Sequence, residues 1–95
     1  MKFEIHRATD GKHKYKATFT REDGTTKSVL FGAVGYQDYT QHKNINRQRL
    51  YRLRHHTSEN WNNPESAGAL SWWLLWRGPS FASNVAEFRR RFNLG

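Results

Sequence analysis

The chain contains no cysteine, which excludes disulfides and thiolate metal sites and leaves packing alone to hold the fold. Aliphatic side chains are also scarce. Of the 36% of residues that are hydrophobic, a large share are rings: six Phe, four Trp and four Tyr. A core must therefore be assembled from a few large aromatic groups. No apolar run is long: Trp72-Trp73-Leu74-Leu75-Trp76 is too short to span a bilayer. Met1–Arg7 is charged along its length and carries no leader-like stretch. The reading is a protein that is not secreted and has no membrane partner. Ninety-five residues make one small domain, spanning 1–95, with no room for a second around a cleft.

Acid is the other scarcity. Sixteen Lys and Arg stand against eight Asp and Glu, a formal charge of +8, and such an excess implies an anionic partner. Between Asp38 and Glu59 lie Lys43, Arg47, Arg49, Arg52 and Arg54 with no acid among them. From residue 44 onward every Lys/Arg cation is Arg, whose planar fork suits phosphate and carboxylate better than the ammonium of Lys does.

Period-two alternation defines three strands. Phe3 and Ile5 alternate with Lys2, Glu4 and His6 in residues 2–7; Tyr15, Ala17 and Phe19 alternate with Lys14, Lys16, Thr18 and Thr20 in 14–21; Val29 and Phe31 mark a third run over 26–31. Asp10-Gly11 and Asp23-Gly24 supply the connecting turns. One sheet face is apolar and needs a cover. Residues 32–40 read as a glycine-punctuated loop. A helix follows over about 44–56, with Leu50 and Leu53 as the narrow stripe that holds it down and basic residues on both flanks. A second helix is expected from Pro64 to about Arg77, capped by Asn63 and stopped by Gly78-Pro79. Its two opposed apolar faces make it central. A third is expected over about 80–93, with Phe81, Val85, Phe88 and Phe92 in one stripe, or a later start if Asn84 and Glu87 form a capping box. The fold class is α+β: a three-stranded antiparallel meander followed by about three helices packed on one sheet face.

The residues Phe31-Gly32-Ala33, Gly35-Tyr36, Asp38-Tyr39-Thr40, His42-Lys43, Arg54-His55, Asn60-Trp61, Pro64, Gly68-Ala69-Leu70-Ser71, Trp73, Leu75-Trp76, Pro79 and Arg90-Arg91-Phe92 form a recognisable pattern. Over about 31–92 the chain resembles a family of small basic uncharacterised proteins encoded by large nucleocytoplasmic DNA viruses of algae and amoebae. It departs from that pattern at Trp72, usually Arg, and at Asn44, often Asp. The resemblance implies a viral source, and with it a location in the virion or in the host nucleus or cytoplasm. It brings no catalytic residues.

The candidate binding residues are those of the basic segment, Lys43, Arg47, Arg49, Arg52, Arg54, His55 and His56, joined by Arg89 and Arg90 near the last helix C-terminus and by Lys14 and Lys16 on the polar sheet face. The expected role is non-catalytic binding of nucleic acid, double-stranded DNA ahead of RNA, through phosphate contacts with little sequence specificity. Four to six such contacts would give a salt slope of roughly −4 to −5. Two other readings compete: a virion structural protein binding acidic viral components, and a small metal-dependent nuclease using a histidine among His42, His55 and His56 as base near Asp38, Tyr39 and Arg54. No residue pattern calls for a cofactor or a resident metal. Trp61, Trp72, Trp73 and Trp76 read as core before they read as a base-stacking platform, and Trp72 is the one whose exposure would mark a partner surface or a dimer contact. The chain is expected to be a monomer or a homodimer.

Overall fold

A computed structural model describes all of residues 1–95. Strands β1 (Lys2–Arg7), β2 (His13–Thr20) and β3 (Thr26–Ala33) form one antiparallel sheet in the order β1-β2-β3. Phe3 faces Phe19, Ile5 faces Ala17, Tyr15 faces Phe31 and Ala17 faces Val29, so the alternating apolar positions meet across the strands on one face. Asp10 closes the first hairpin. One carboxylate oxygen accepts from the Lys12 and His13 amides at 3.0 and 2.9 Å, and the other pairs with the His13 ring at 2.6 Å. These bonds, the His13 ring first, hold the Asp10 carboxyl down at about 2.

Four helical elements follow: α1 (Tyr39–His42), α2 (Ile45–His55), α3 (Ala67–Leu70) running on into a π-helical segment, Ser71–Trp76, and α4 (Phe81–Arg91). The α+β architecture is as expected, with α4 and the central helix covering the apolar sheet face. Phe88 of α4 lies 5.0 Å from the Phe3 ring, and Tyr15 stacks on Phe81 at 4.8 Å. Trp72, Trp73, Leu74 and Leu75 are four successive buried residues. Only a segment enclosed on all sides can show that pattern, which bears out its central placement. None of the helices is long and apolar enough to cross a membrane.

Three features differ from the sequence expectation, while the start of the last helix agrees with it. The stretch read as a loop over 32–40 runs into α1, because Asp38 and Gln41 form a reciprocal capping box. The central helix begins at Ala67 under a Ser66 cap; Asn63 instead accepts from the Glu65 amide at 3.1 Å in a turn. Its second half is π-helical, with the Arg77 amide donating to the Trp72 carbonyl at 2.7 Å. The wider turn is serviced by Asn84, whose buried amide donates to the carbonyls of Leu74 and Gly78 at 3.0 and 2.9 Å. Asn84 is therefore not a cap, and α4 starts at Phe81 under Ser80. A β-carbon on Gly78 would stand 2.7 Å from the Asn84 side-chain oxygen, so this position excludes larger residues.

At the other end α4 closes through Asn93 in the left-handed region (φ 54°). The Leu94 amide donates to the Arg89 carbonyl at 2.8 Å, the Schellman arrangement. Gly95 then exchanges backbone bonds with Met1 and Phe3, each 3.0 Å, and so extends hydrogen bonding along the free edge of β1.

Candidate nucleic-acid interface

The entrance to α2 is built by three consecutive local devices. Asp38, 4% exposed, accepts from the Thr40 amide at 3.0 Å and from the Thr40 hydroxyl. Lys43, in the left-handed region (φ 54°), ends α1. Asn44 then caps α2 by accepting from the Asn46 and Arg47 amides at 3.0 and 3.3 Å. Lys14 locks this corner to the sheet. Its ammonium donates to Asp38 at 2.8 Å and to Gln41 at 2.7 Å, and Gly32 allows the approach, since a β-carbon there would lie 3.3 Å from that of Lys14 and 3.0 Å from Leu75. Lys14 is thus a structural cation and not a free one on the polar sheet face.

α2 docks with the opposite polarity to the one its sequence suggests. No residue of the helix is fully buried, and Leu50 and Leu53, expected to hold it down, are 58% and 66% exposed. The contact is made by Tyr51, whose ring lies 4.2 Å from that of Trp76 and almost parallel to it, at 6°. His55 stacks on the other side of Tyr51 at 4.2 Å, and Glu59 orients His55 through a 3.1 Å hydrogen bond to its ring while accepting from the Trp61 indole at 3.0 Å. Burial raises the Tyr51 phenol pKa above its ordinary value; Glu59 adds to the shift and Arg54 opposes it. Gly68 leaves room for Glu59, because a β-carbon there would stand 2.9 Å from its carboxylate. His55 therefore serves the docking contact and is not available as a free phosphate ligand.

The charged side chains exposed on α2 are all cationic. Arg47, Arg49, Arg52 and Arg54 all lie at the surface, and none of them makes an ion pair. Lys43 and His56 are exposed beside them. Arg49, Arg52, Leu53 and His56 line one shallow groove. A larger groove of about 870 Å³ runs along the other flank, past Arg47, Leu50, Tyr51 and Arg54, to Tyr36 and Trp76. A third, of about 510 Å³, brings Arg52 and His56 to face Arg77 and Arg91. The basic helix and the end of α4 do share a patch, but through Arg91, not through Arg89 or Arg90. Arg91 lies 4.7 Å over the Trp73 ring, and Arg77 is only loosely held by Glu87 at 3.6 Å. Neither was among the candidates chosen from sequence; Arg91 sits one residue beyond the chosen pair, and Arg77 stands alone after the Trp cluster.

The other candidates separate. Arg89 is turned inward, its guanidinium donating to the carbonyls of Phe3 and Gly95 at 2.8 and 2.5 Å and lying over the Phe3 ring; its role is to fasten the C-terminus to β1. Arg90 and Lys16 are exposed, Lys16 on the sheet face remote from the helices. Trp72 and Trp73 are buried, with Trp72 stacked on Trp61 at 4.4 Å and the Trp73 indole donating to the Trp61 carbonyl at 2.7 Å. Core packing accounts for them.

Neither ring nitrogen of His42 is accessible to a substrate. Nδ1 accepts from the Asn44 amide at 2.9 Å, which requires the proton on Nε2, and Nε2 is buried without a partner. Burial first, and then the Arg47 charge, lowers its pKa below the ordinary 6.5. The folded state thus favours neutral His42, while the unfolded chain takes up a proton more readily. The stability this supplies is whole above pH 6.5 and is lost as pH falls through the folded-state value. Urea midpoints should decline between pH 7.5 and 5, and His42→Asn, which keeps an acceptor for the Asn44 amide, should flatten that decline.

Fold and surface together define a small basic α+β protein that displays an arginine-flanked helix. Residues 3–55, more than half of the chain, match a family of unknown function, DUF5754, and the protein belongs to that family. The match takes in the meander from Phe3 onward, α1 and α2. No curated protein and no solved structure matches the chain.

Proposed function

We propose that this is a non-catalytic nucleic-acid-binding protein that holds duplex DNA by its phosphates through α2. The observation that carries the reading is the state of the four α2 arginines: exposed, unpaired, and set on a helix attached to the body by Tyr51 and His55. Guanidinium groups with no internal partner keep their full capacity for phosphate. Arg77 and Arg91 extend the patch across the neighbouring groove. The resemblance of residues 31–92 to proteins of large DNA viruses gives the role a setting, in genome compaction or as an accessory to replication or transcription.

Arg49→Ala combined with Arg52→Ala should leave the fold intact, because neither side chain holds a partner. It should weaken duplex binding about tenfold at 100 mM salt and reduce the salt slope by about 2. Fluorescence anisotropy against a labelled duplex, with circular dichroism as the folding control, measures both. An unchanged affinity in a folded double variant would refute the proposal.

A further inference from the structure

The outward crest of α2 has no structural employment. Leu50 and Leu53 are 58% and 66% exposed, and they occur on a helix whose docking side is served by Tyr51 and His55; Ile45, 48% exposed, falls on the flank of Arg49 and Arg52 and is not part of the crest. At about 100° per residue, Leu53 points away from the body, Leu50 stands about 60° round from it at the lip of the large groove, and Asn46 lies between them. Arg47 and Arg54 lie about 70–90° round on one side, and Arg49 and Arg52 about 70–130° round on the other. Each flank is bordered by an open groove. No carboxylate interrupts either row, since the nearest acids in sequence, Asp38 and Glu59, are bound to Lys14 and to His55 with Trp61.

An apolar ridge between two cationic rows complements a channel with two anionic walls and methyl groups on its floor. The major groove of B-form DNA is such a channel: about 12 Å wide, against about 10–12 Å for a helix with its side chains, walled by phosphates and presenting the thymine methyl. We infer that α2 enters the major groove of B-form DNA, Arg47 and Arg54 on one phosphate strand, Arg49 and Arg52 on the other, and Leu50 and Leu53 against thymine methyls. Asn46 stands on the same crest, where its amide can reach an adenine edge. The inference rests on the phosphate-binding reading and refines it: the charges supply affinity, and the ridge selects the duplex form and favours thymine. A-form RNA, with the same charge per strand, has a major groove too narrow to admit the helix. An anionic lipid surface offers no pair of walls and wants a broader apolar face than two leucines.

The test compares four probes by anisotropy or co-sedimentation at about 100 mM salt: a thymine-rich DNA duplex, the same duplex with deoxyuridine for thymidine, the matching RNA duplex, and vesicles of phosphatidylcholine and phosphatidylserine in equal parts. Deoxyuridine should weaken binding about fourfold for each methyl contacted, and the RNA duplex should bind at least about tenfold more weakly. Leu50→Ala with Leu53→Ala should abolish the thymine–uracil difference. Equal affinity for all three duplexes overturns the inference and leaves phosphate binding standing. Failure to bind any duplex overturns phosphate binding itself. Tighter, Leu50- and Leu53-dependent binding to the vesicles overturns the inference in favour of a membrane surface.

Discussion

Tyr51→Ala is expected to release α2 from the body while the sheet and its core stay folded. The helix has no fully buried residue, and its inner face is held by one aromatic stack, Trp76 on Tyr51 on His55. Truncating the ring removes the apolar area that Tyr51 buries and two stacking partners, together about 3 kcal/mol. An eleven-residue helix without tertiary support is marginal in water. Hydrogen exchange should then show residues 45–55 opening at a small fraction of the global free energy, with β1, β2 and α4 still protected. Tyr51→Phe should behave as the native protein, because the phenol oxygen makes no hydrogen bond that holds α2. Retained protection over 45–55 in Tyr51→Ala would show that the helix is held by something other than this stack.

Phe88→Ala should have the largest effect on global stability. Phe88 is fully buried, its ring 5.0 Å from that of Phe3 and 5.0 Å from that of Phe92, at the point where α4 meets the sheet. Losing a buried ring costs about 3–5 kcal/mol, a large share of the roughly 5–14 kcal/mol expected for a domain of this size. The melting temperature should fall by about 15–30 °C. A fall of less than about 5 °C would mean that the core does not close through Phe88.

The strands were legible because a half-buried sheet needs period two, and the aliphatic shortage made Phe3, Phe19, Phe31 and Phe88, with the central-helix Trp72–Leu75 run, the evident groups to fill the interior. The C-terminal stripe was legible for the same reason. α1 escaped because its signal, Asp38 followed three residues later by Gln41, is a capping box on a helix of one turn, shorter than any hydrophobic period. The π-helical turn left no mark in sequence beyond the dense Trp72–Leu75 run that it serves to bury. The most instructive reversal is α2. A wheel ranks Leu50 and Leu53 above Tyr51 and His55, yet the flat faces of Tyr51 and Trp76 pack at 4.2 Å and bury more area than two isolated Leu side chains would. The Leu pair was thereby turned outward, and the arginines with it. Lys14 and Arg89 illustrate the opposite limit: composition counts every cation alike, whereas Asp38, and the carbonyls of Phe3 and Gly95, had already claimed these two.

The most direct test of the account is the salt dependence of duplex binding by the native chain and by a variant carrying Arg47→Gln, Arg49→Gln, Arg52→Gln and Arg54→Gln. Plotted as log K against log salt, the native protein should give a slope of roughly −4 to −5, and the variant should lose most of it. A slope that does not change on removing all four arginines, or no duplex binding even at 50 mM salt, would contradict the claim that α2 holds DNA by its phosphates.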